Sequence, residues 1–309
     1  MSNKEPDTHD LKTVRDFLRY ATSRFTEAKL AYGHGTTNAF DEAAFMVLEG
    51  LHLPIDRLEP FLEARLTKAE RTRLGELIEA RIETRKPASY LLQRAYIGSV
   101  GFYVDERVLV PRSFIGELLQ SGAVTGNDDS LIADPGTVNR ALDLCTGSGC
   151  LAILAAMAFP GANVDAVDLS PEALEVAQQN VVEHMMQDRI ELLQGDLFVP
   201  LAERRYDLII SNPPYVDAPA MVKLPPEYQH EPALALASGD DGLDIVRRIL
   251  AEASQYLTDS GGLLCEIGRG RELLSEAFPA LDFHWLDTEE SAGEVFWLSA
   301  RALKRHKPA

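Results

Sequence analysis

Ser211-Asn212-Pro213-Pro214-Tyr215 carries the sharpest chemical signal in the chain. It closes the apolar run Tyr206–Ser211, which reads as a buried strand. Two consecutive prolines cannot extend a sheet, so they end the strand and hold the backbone around Asn212. Three further features fall at the ends of the strands before it. Asp143-Leu144-Cys145-Thr146-Gly147-Ser148-Gly149-Cys150 is a glycine turn whose backbone can approach a ligand. Dehydrogenases, phosphate binders and methyltransferases all use such a turn. This one lacks the complete GxGxxG, and no GxxxxGK[ST] P-loop is present. Asp168, at the end of the next strand, can accept bonds from both hydroxyls of a ribose, as NAD and S-adenosylmethionine each require. Asp196, with Leu197 and Phe198 after it, suits the exocyclic amine and flat face of adenine.

The elements that must position these residues follow from periodicity. From Arg140 onward strands and helices alternate. Ala141–Cys145, Asn163–Asp168, Ile190–Gln194, Tyr206–Ser211 and Gly262–Ile267 read as successive strands. Asp282–Leu286 and Glu294–Leu298 form a closing antiparallel pair. Helices are expected over Cys150–Phe159, after the cap Ser170-Pro171-Glu172, and over Leu243–Leu257. The pattern predicts an α/β fold with a seven-stranded, mostly parallel sheet, whose ligands lie at the carboxyl ends of its strands. Residues 1–94 read as a small helical recognition domain. Leu11, Val14, Leu18, Ala21 and Phe25 mark one helix and Asp41–Leu51 a second. The capping box Thr67-Lys68-Ala69-Glu70 opens a third, which runs to about Lys86, buries Leu74, Leu77, Ile78 and Ile82 and exposes its charges. Residues 95–112 alternate β-formers with glycine and predict a β-hairpin linker, and residues 113–309 form the catalytic domain. Gly122–Asn139 has no periodicity and reads as a loop.

Composition narrows the class. The 309 residues are 46% hydrophobic and 25% charged, ordinary for a globular protein of about two domains. The net charge of −18 lies wholly beyond residue 95. Sequence-independent nucleic-acid binding needs Lys and Arg on phosphates, so none is expected; a basic protein suits that field better. Cys145, Cys150 and Cys265 form no paired framework or zinc spacing and indicate a reducing cytoplasm. His9, His34, His52, His184, His230, His284 and His306 are scattered, and no metal is expected. The polar start Met1–Asp10 shows no signal peptide. The longest apolar run, Leu151–Phe159, is far short of the about 20 residues of a membrane span, so no membrane partner is expected.

Asn-Pro-Pro-Tyr after the fourth strand, with Asp-Leu-Cys-Thr-Gly-Ser-Gly after the first, resembles the class I (Rossmann-like) S-adenosylmethionine methyltransferases that act on planar nitrogens. Phe102–Ser113 resembles the linker hairpin of the HemK/Prm glutamine methyltransferases. Tyr32-Gly-His-Gly-Thr36 and Tyr228–Gly239 resemble the branch acting on the third protein of the large ribosomal subunit. The likeness runs from about Leu11 to Leu298, with Phe114 where the family pattern has proline.

That resemblance implies S-adenosylmethionine as cofactor, held by Asp143, Cys145, Thr146, Gly147, Ser148, Gly149 and Asp168, with Asp196 and Leu197 near adenine. It implies Asn212, Pro213, Pro214 and Tyr215 as the catalytic group, and Phe102 and Arg112 at the mouth of the substrate pocket. The Asn212 side-chain oxygen and the Pro213 carbonyl can each accept an N–H of a substrate amide, and Tyr215 can stack on its plane. His230-Glu231-Pro232 is a candidate cover for the pocket, and Glu266, ending the fifth strand, reads as structural. The implied partner is a large-subunit ribosomal protein, free or in an assembling subunit. Competing readings are a release-factor glutamine methyltransferase, a nucleic-acid amino methyltransferase, and an assembly factor that only binds the cofactor; a dehydrogenase fits least.

Overall fold

The Thr13 side chain accepts the Asp16 N–H while the Asp16 carboxylate takes the Thr13 N–H. This reciprocal cap satisfies two otherwise orphaned donors and starts helix α1 (Val14–Glu27). Asn38 caps α2 (Ala39–Gly50), and Thr67 with Glu70 caps α3 (Lys68–Thr84), as the spacing predicts. A short helix, α4 (Ala88–Leu92), follows Pro87. These helices pack on Val14, Phe17, Phe25, Met46, Leu74 and Ile78. The structure is a computed structural model that describes residues 9–127, 130–288 and 291–305; residues 1–8 of the polar start and His306 lie outside them.

This helical unit reaches Ala95 and also includes Leu224–His230. One expectation for it is corrected. α3 does not expose all its charges, because Arg81 is fully buried. Its Nε donates to Glu42 Oε1 at 2.7 Å, its Nη2 to the Ala31 carbonyl, and Nη1 lies 3.7 Å from Glu227 Oε1. Glu227 also accepts the Ala31 N–H and an Arg85 Nη1–H. Beside it the Tyr228 and His34 rings sit 4.3 Å apart. A Cβ on Gly33 would stand 2.3 Å from the Tyr228 hydroxyl. The stretches Tyr32–Thr36 and Tyr228–His230, far apart in sequence, therefore meet around one buried cation.

The second unit comprises Tyr96–Lys223 and the chain from Glu231 onward. β1 (Ala95–Ile97) and β2 (Val100–Phe102) form the hairpin, turning at Gly98 with φ +57°. Ser113 then caps α5 (Phe114–Ser121). The alternation follows: β3 (Arg140–Leu144), α6 (Cys150–Ala158), β4 (Asn163–Asp168), α7 (Pro171–Glu183), β5 (Ile190–Gln194), β6 (Tyr206–Ser211), α8 (Ala218–Met221), α9 (Asp244–Tyr256) and β7 (Leu257–Glu266). The chain ends with α10 (Arg271–Ala277), β8 (His284–Asp287), β9 (Ala292–Ser299) and α11 (Ala300–Arg305). β7 starts at Leu257, well before the Gly262 expected from sequence.

Seven strands form one sheet in the order β5-β4-β3-β6-β7-β9-β8. The first five are parallel; β9 runs antiparallel to β7 and β8 antiparallel to β9. Alternate side chains face opposite sides of a strand. Ala141, Leu208, Ile210 and Leu264 therefore join α5 and α6 on one face, while Leu142, Ile209, Leu263 and Cys265 join α9 and α11 on the other. α6 is buried from Cys150 to Ala156, which explains its wholly apolar sequence. The strand order reverses between β3 and β6, and their carboxyl ends flank the crevice where such sheets bind ligands. Among the described residues no helix is long and apolar enough to cross a membrane.

Candidate active site

The glycine turn leaves β3 through three left-handed residues: Cys145 (φ +61°), Gly147 (+55°) and Gly149 (+79°). Gly149 is also closely packed, since a Cβ there would stand 3.1 Å from that of Ala177 on α7. Asp143, fully buried at the end of β3, closes the turn. Its Oδ2 accepts Thr146 Oγ1–H at 2.5 Å and the Ala152 N–H at 3.0 Å. Its Oδ1 is buried and has no hydrogen-bond partner. Burial pushes this carboxyl up to about 7.

Asp168, half-buried at the end of β4, is wired into the same turn. Oδ2 accepts the Gly147 N–H at 2.8 Å and Oδ1 the Ser170 N–H at 2.9 Å. Burial raises its carboxyl, and those backbone donors oppose the rise. Asp196 pairs with Arg248 at 2.8 Å, while Leu197 (φ +51°) is buried next to it. Burial raises the Cys145 thiol, and Asp168, Asp143 and Asp196 all raise it further. The charges of the three carboxylates predicted at three strand ends are thus all felt at one residue of the turn.

Ser211 ends β6 and donates its hydroxyl to the Leu144 carbonyl at 2.9 Å, joining the ends of β6 and β3. Asn212 follows, half-buried, with a buried Oδ1 that has no hydrogen-bond partner. Pro213 is buried and Pro214 half-buried. The Tyr215 hydroxyl donates to Glu266 Oε1 at 3.3 Å, and its ring rests on Gly268, where a Cβ would come within 2.7 Å. The Val216 N–H donates to Leu236 and the Ser238 N–H to Val216, closing the neck of the long loop that follows.

Phe102 and Arg112 belong to the linker, where the Arg112 charge acts on the Tyr215 hydroxyl and the neighbouring Ser113 shares Glu266 with it. Phe102 is a core residue with no exposed surface, its ring 5.3 Å from His184, so it offers nothing for a substrate to touch. Arg112 forks onto Glu231 at 2.5 and 2.7 Å, and the same carboxylate accepts the Val110 N–H. Glu231 is buried and anchors the linker, whereas His230 Nε2–H donates to the Thr84 carbonyl in the helical unit.

Sequence reasoning missed Asn180. This fully buried amide on α7 donates to the Ser148 and Tyr103 carbonyls and accepts the Tyr103 N–H, clamping the glycine turn and the linker together. Nothing in its local sequence marks it. Glu266 did leave a signal, a carboxylate ending an otherwise apolar strand.

A curated relative, the ribosomal protein uL3 glutamine methyltransferase of Bradyrhizobium diazoefficiens, is 60% identical over 295 residues, covering 95% of this chain and 92% of that protein. The chain belongs to the uL3 glutamine methyltransferase family. The family's counterpart in Bordetella pertussis is 53% identical, over 95% of this chain and 97% of its own. Residues 130–224 match the methyltransferase small domain. Among solved structures, a methyltransferase from Pyrococcus furiosus aligns with 71% of this chain and 95% of its own, at a TM-score of 0.47 and 17% identity.

As a uL3 glutamine methyltransferase family member, the chain uses S-adenosylmethionine, and the residues fit that ligand. Its ammonium and sulfonium are cationic, and the turn presents Asp143 with an unpartnered oxygen beside Asp168. Left-handed Cys145, Gly147 and Gly149 keep the backbone open to close approach.

Proposed function

We propose that this protein transfers the methyl group of S-adenosylmethionine to the side-chain amide nitrogen of a glutamine in ribosomal protein uL3. The observation that carries the reading is the Asn212 Oδ1, buried without a partner at the end of β6. A buried acceptor left unpaired costs about 1–3 kcal/mol, and a substrate N–H would offset it. The cofactor supplies an electrophilic methyl on sulfur. Asn212 Oδ1 and the Pro213 carbonyl each accept one amide N–H, aiming the nitrogen lone pair at the methyl carbon. Transfer of that methyl would leave the bonding pair on sulfur and would build positive charge on the amide nitrogen. Both acceptors face that charge and are fixed in advance by the two prolines. The nitrogen then releases one proton to water, so no strong base is needed. Asp143, Asp168 and the turn from Cys145 to Gly149 hold the cofactor, with Leu197 and Asp196 at its adenine end.

The −18 charge, all of it beyond residue 95, favours encounter with a basic ribosomal protein. Such encounter belongs in the cytoplasm, with uL3 free or in an assembling subunit. The test is transfer from labelled S-adenosylmethionine into lysate of cells lacking this protein, with mass spectrometry of the labelled band. A gain of one methylene on a uL3 glutamine is expected. Label on a release factor, or in RNA or DNA, would overturn the substrate assignment.

A further inference from the structure

Two buried carboxylates grip the linker between Val110 and Phe114. Glu231 takes the Val110 N–H and the Arg112 fork. Glu266, 1% exposed at the end of β7, takes the other side. Its Oε2 accepts the Ser113 hydroxyl at 2.6 Å and the Phe114 N–H at 2.9 Å. Its Oε1 accepts the Tyr215 hydroxyl. A carboxylate only accepts, and here it meets three donors. A buried carboxyl is costly without partners, and a merely structural strand end would be filled more cheaply by an apolar residue.

Tyr215 is held at three points. Glu266 takes its hydroxyl, Gly268 supports its ring, and its carbonyl passes so close to Gly242 that a Cβ there would stand 2.4 Å away. Asn212 is joined to Tyr215 through two prolines, whose φ angles are locked. An anchor on Tyr215 is therefore transmitted to Asn212 with little slack.

We infer that Glu266 is a positioning residue for methyl transfer, acting through the Tyr215 hydroxyl to set the Asn212–Tyr215 segment against the start of α5. It touches neither substrate nor cofactor. The inference rests on the proposed role of that segment and extends it.

Glu266→Gln keeps the shape. Its carbonyl can satisfy Ser113 and Phe114, which turns its NH₂ toward Tyr215 and removes the acceptor there. The test is a double-mutant cycle with Tyr215→Phe on full-length protein, reading kcat, KM for uL3, cofactor Kd, Tm and amide hydrogen exchange. Each single variant is expected to lower kcat about tenfold, about 1.4 kcal/mol, with cofactor Kd within about twofold. The double variant should be no slower than Tyr215→Phe alone. Exchange at Asn212, Tyr215 and Val216 should quicken in Glu266→Gln while that of β3 and β4 stays unchanged. Multiplying effects, or a lower Tm with exchange quickened across the whole sheet and kcat unaltered, would overturn the role. The exchange experiment needs no substrate. If wild-type protein fails to label uL3, the substrate assignment falls, and exchange alone still decides Glu266.

Discussion

Asn212→Ala separates catalysis from stability more sharply than any other change. In most proteins, deleting a buried polar side chain removes a bond and destabilises the fold. Here Asn212 Oδ1 has no partner, so its removal deletes an unsatisfied acceptor. By the penalty for such groups, about 1–3 kcal/mol, less the packing lost with the amide, stability should stay level or rise by about 1 kcal/mol. Methyl transfer should respond oppositely. Removing one preorganised group that faces developing charge costs about 10²–10³ in rate, or about 2.7–4 kcal/mol. The Pro213 carbonyl remains, so activity should not vanish. Asp143 and Asp168 keep their bonds to the glycine turn, so cofactor affinity should hold within about twofold. Three measurements on one variant suffice: single-turnover transfer to uL3, calorimetric titration with S-adenosylmethionine, and thermal melting. A cofactor Kd weakened as much as the rate, or a Tm lowered by several degrees with the rate unchanged, would refute the reasoning.

Three other outcomes are expected. Asp168→Ala frees the Gly147 and Ser170 N–H groups together, so cofactor Kd measured by titration should rise about tenfold or more, with a smaller fall in saturated kcat. Asp143 is held near 7 when folded against about 3.9 unfolded. The folded state binds the extra proton between those values, so this group's contribution to stability falls as pH rises from about 4 to 7. Asp168 adds to that rise in the carboxyl. A cationic ligand favours the ionised form, so cofactor binding should tighten from pH 6 to 8 and release a proton. Titration in buffers of differing ionisation enthalpy would show this, and Asp143→Asn should abolish the proton release. Arg81→Met leaves Glu42 buried without its cation and Glu227 with Arg85 alone and should destabilise the helical unit by about 3–5 kcal/mol in urea melts. Adding Glu42→Gln should recover part of that loss.

The sequence by itself determined what short-range physics controls. Thr67 with Glu70, and Ser170 with Pro171, start helices because a cap needs only residues within one turn. β4, β5 and β6 have the bounds that their apolar runs predict, and Asp143, Asp168 and Asn212 fall at strand ends because turn and proline chemistry stops a strand locally. Periodicity also tells which face of α3 is buried, but not what lies opposite it. Arg81 on that face reads as a solvent charge until Glu42 and Glu227 arrive from 39 residues before it and from Leu224–His230. Asn180 meets Tyr103 across 77 residues of chain, and Glu266 meets Ser113 across 153. No local pattern encodes such pairs, because their energy depends on a low-dielectric interior that exists only after the sheet has formed. Strand order likewise belongs to the tertiary structure. It brings β3 beside β6, and so sets the glycine turn next to Asn212, through packing of both faces at once.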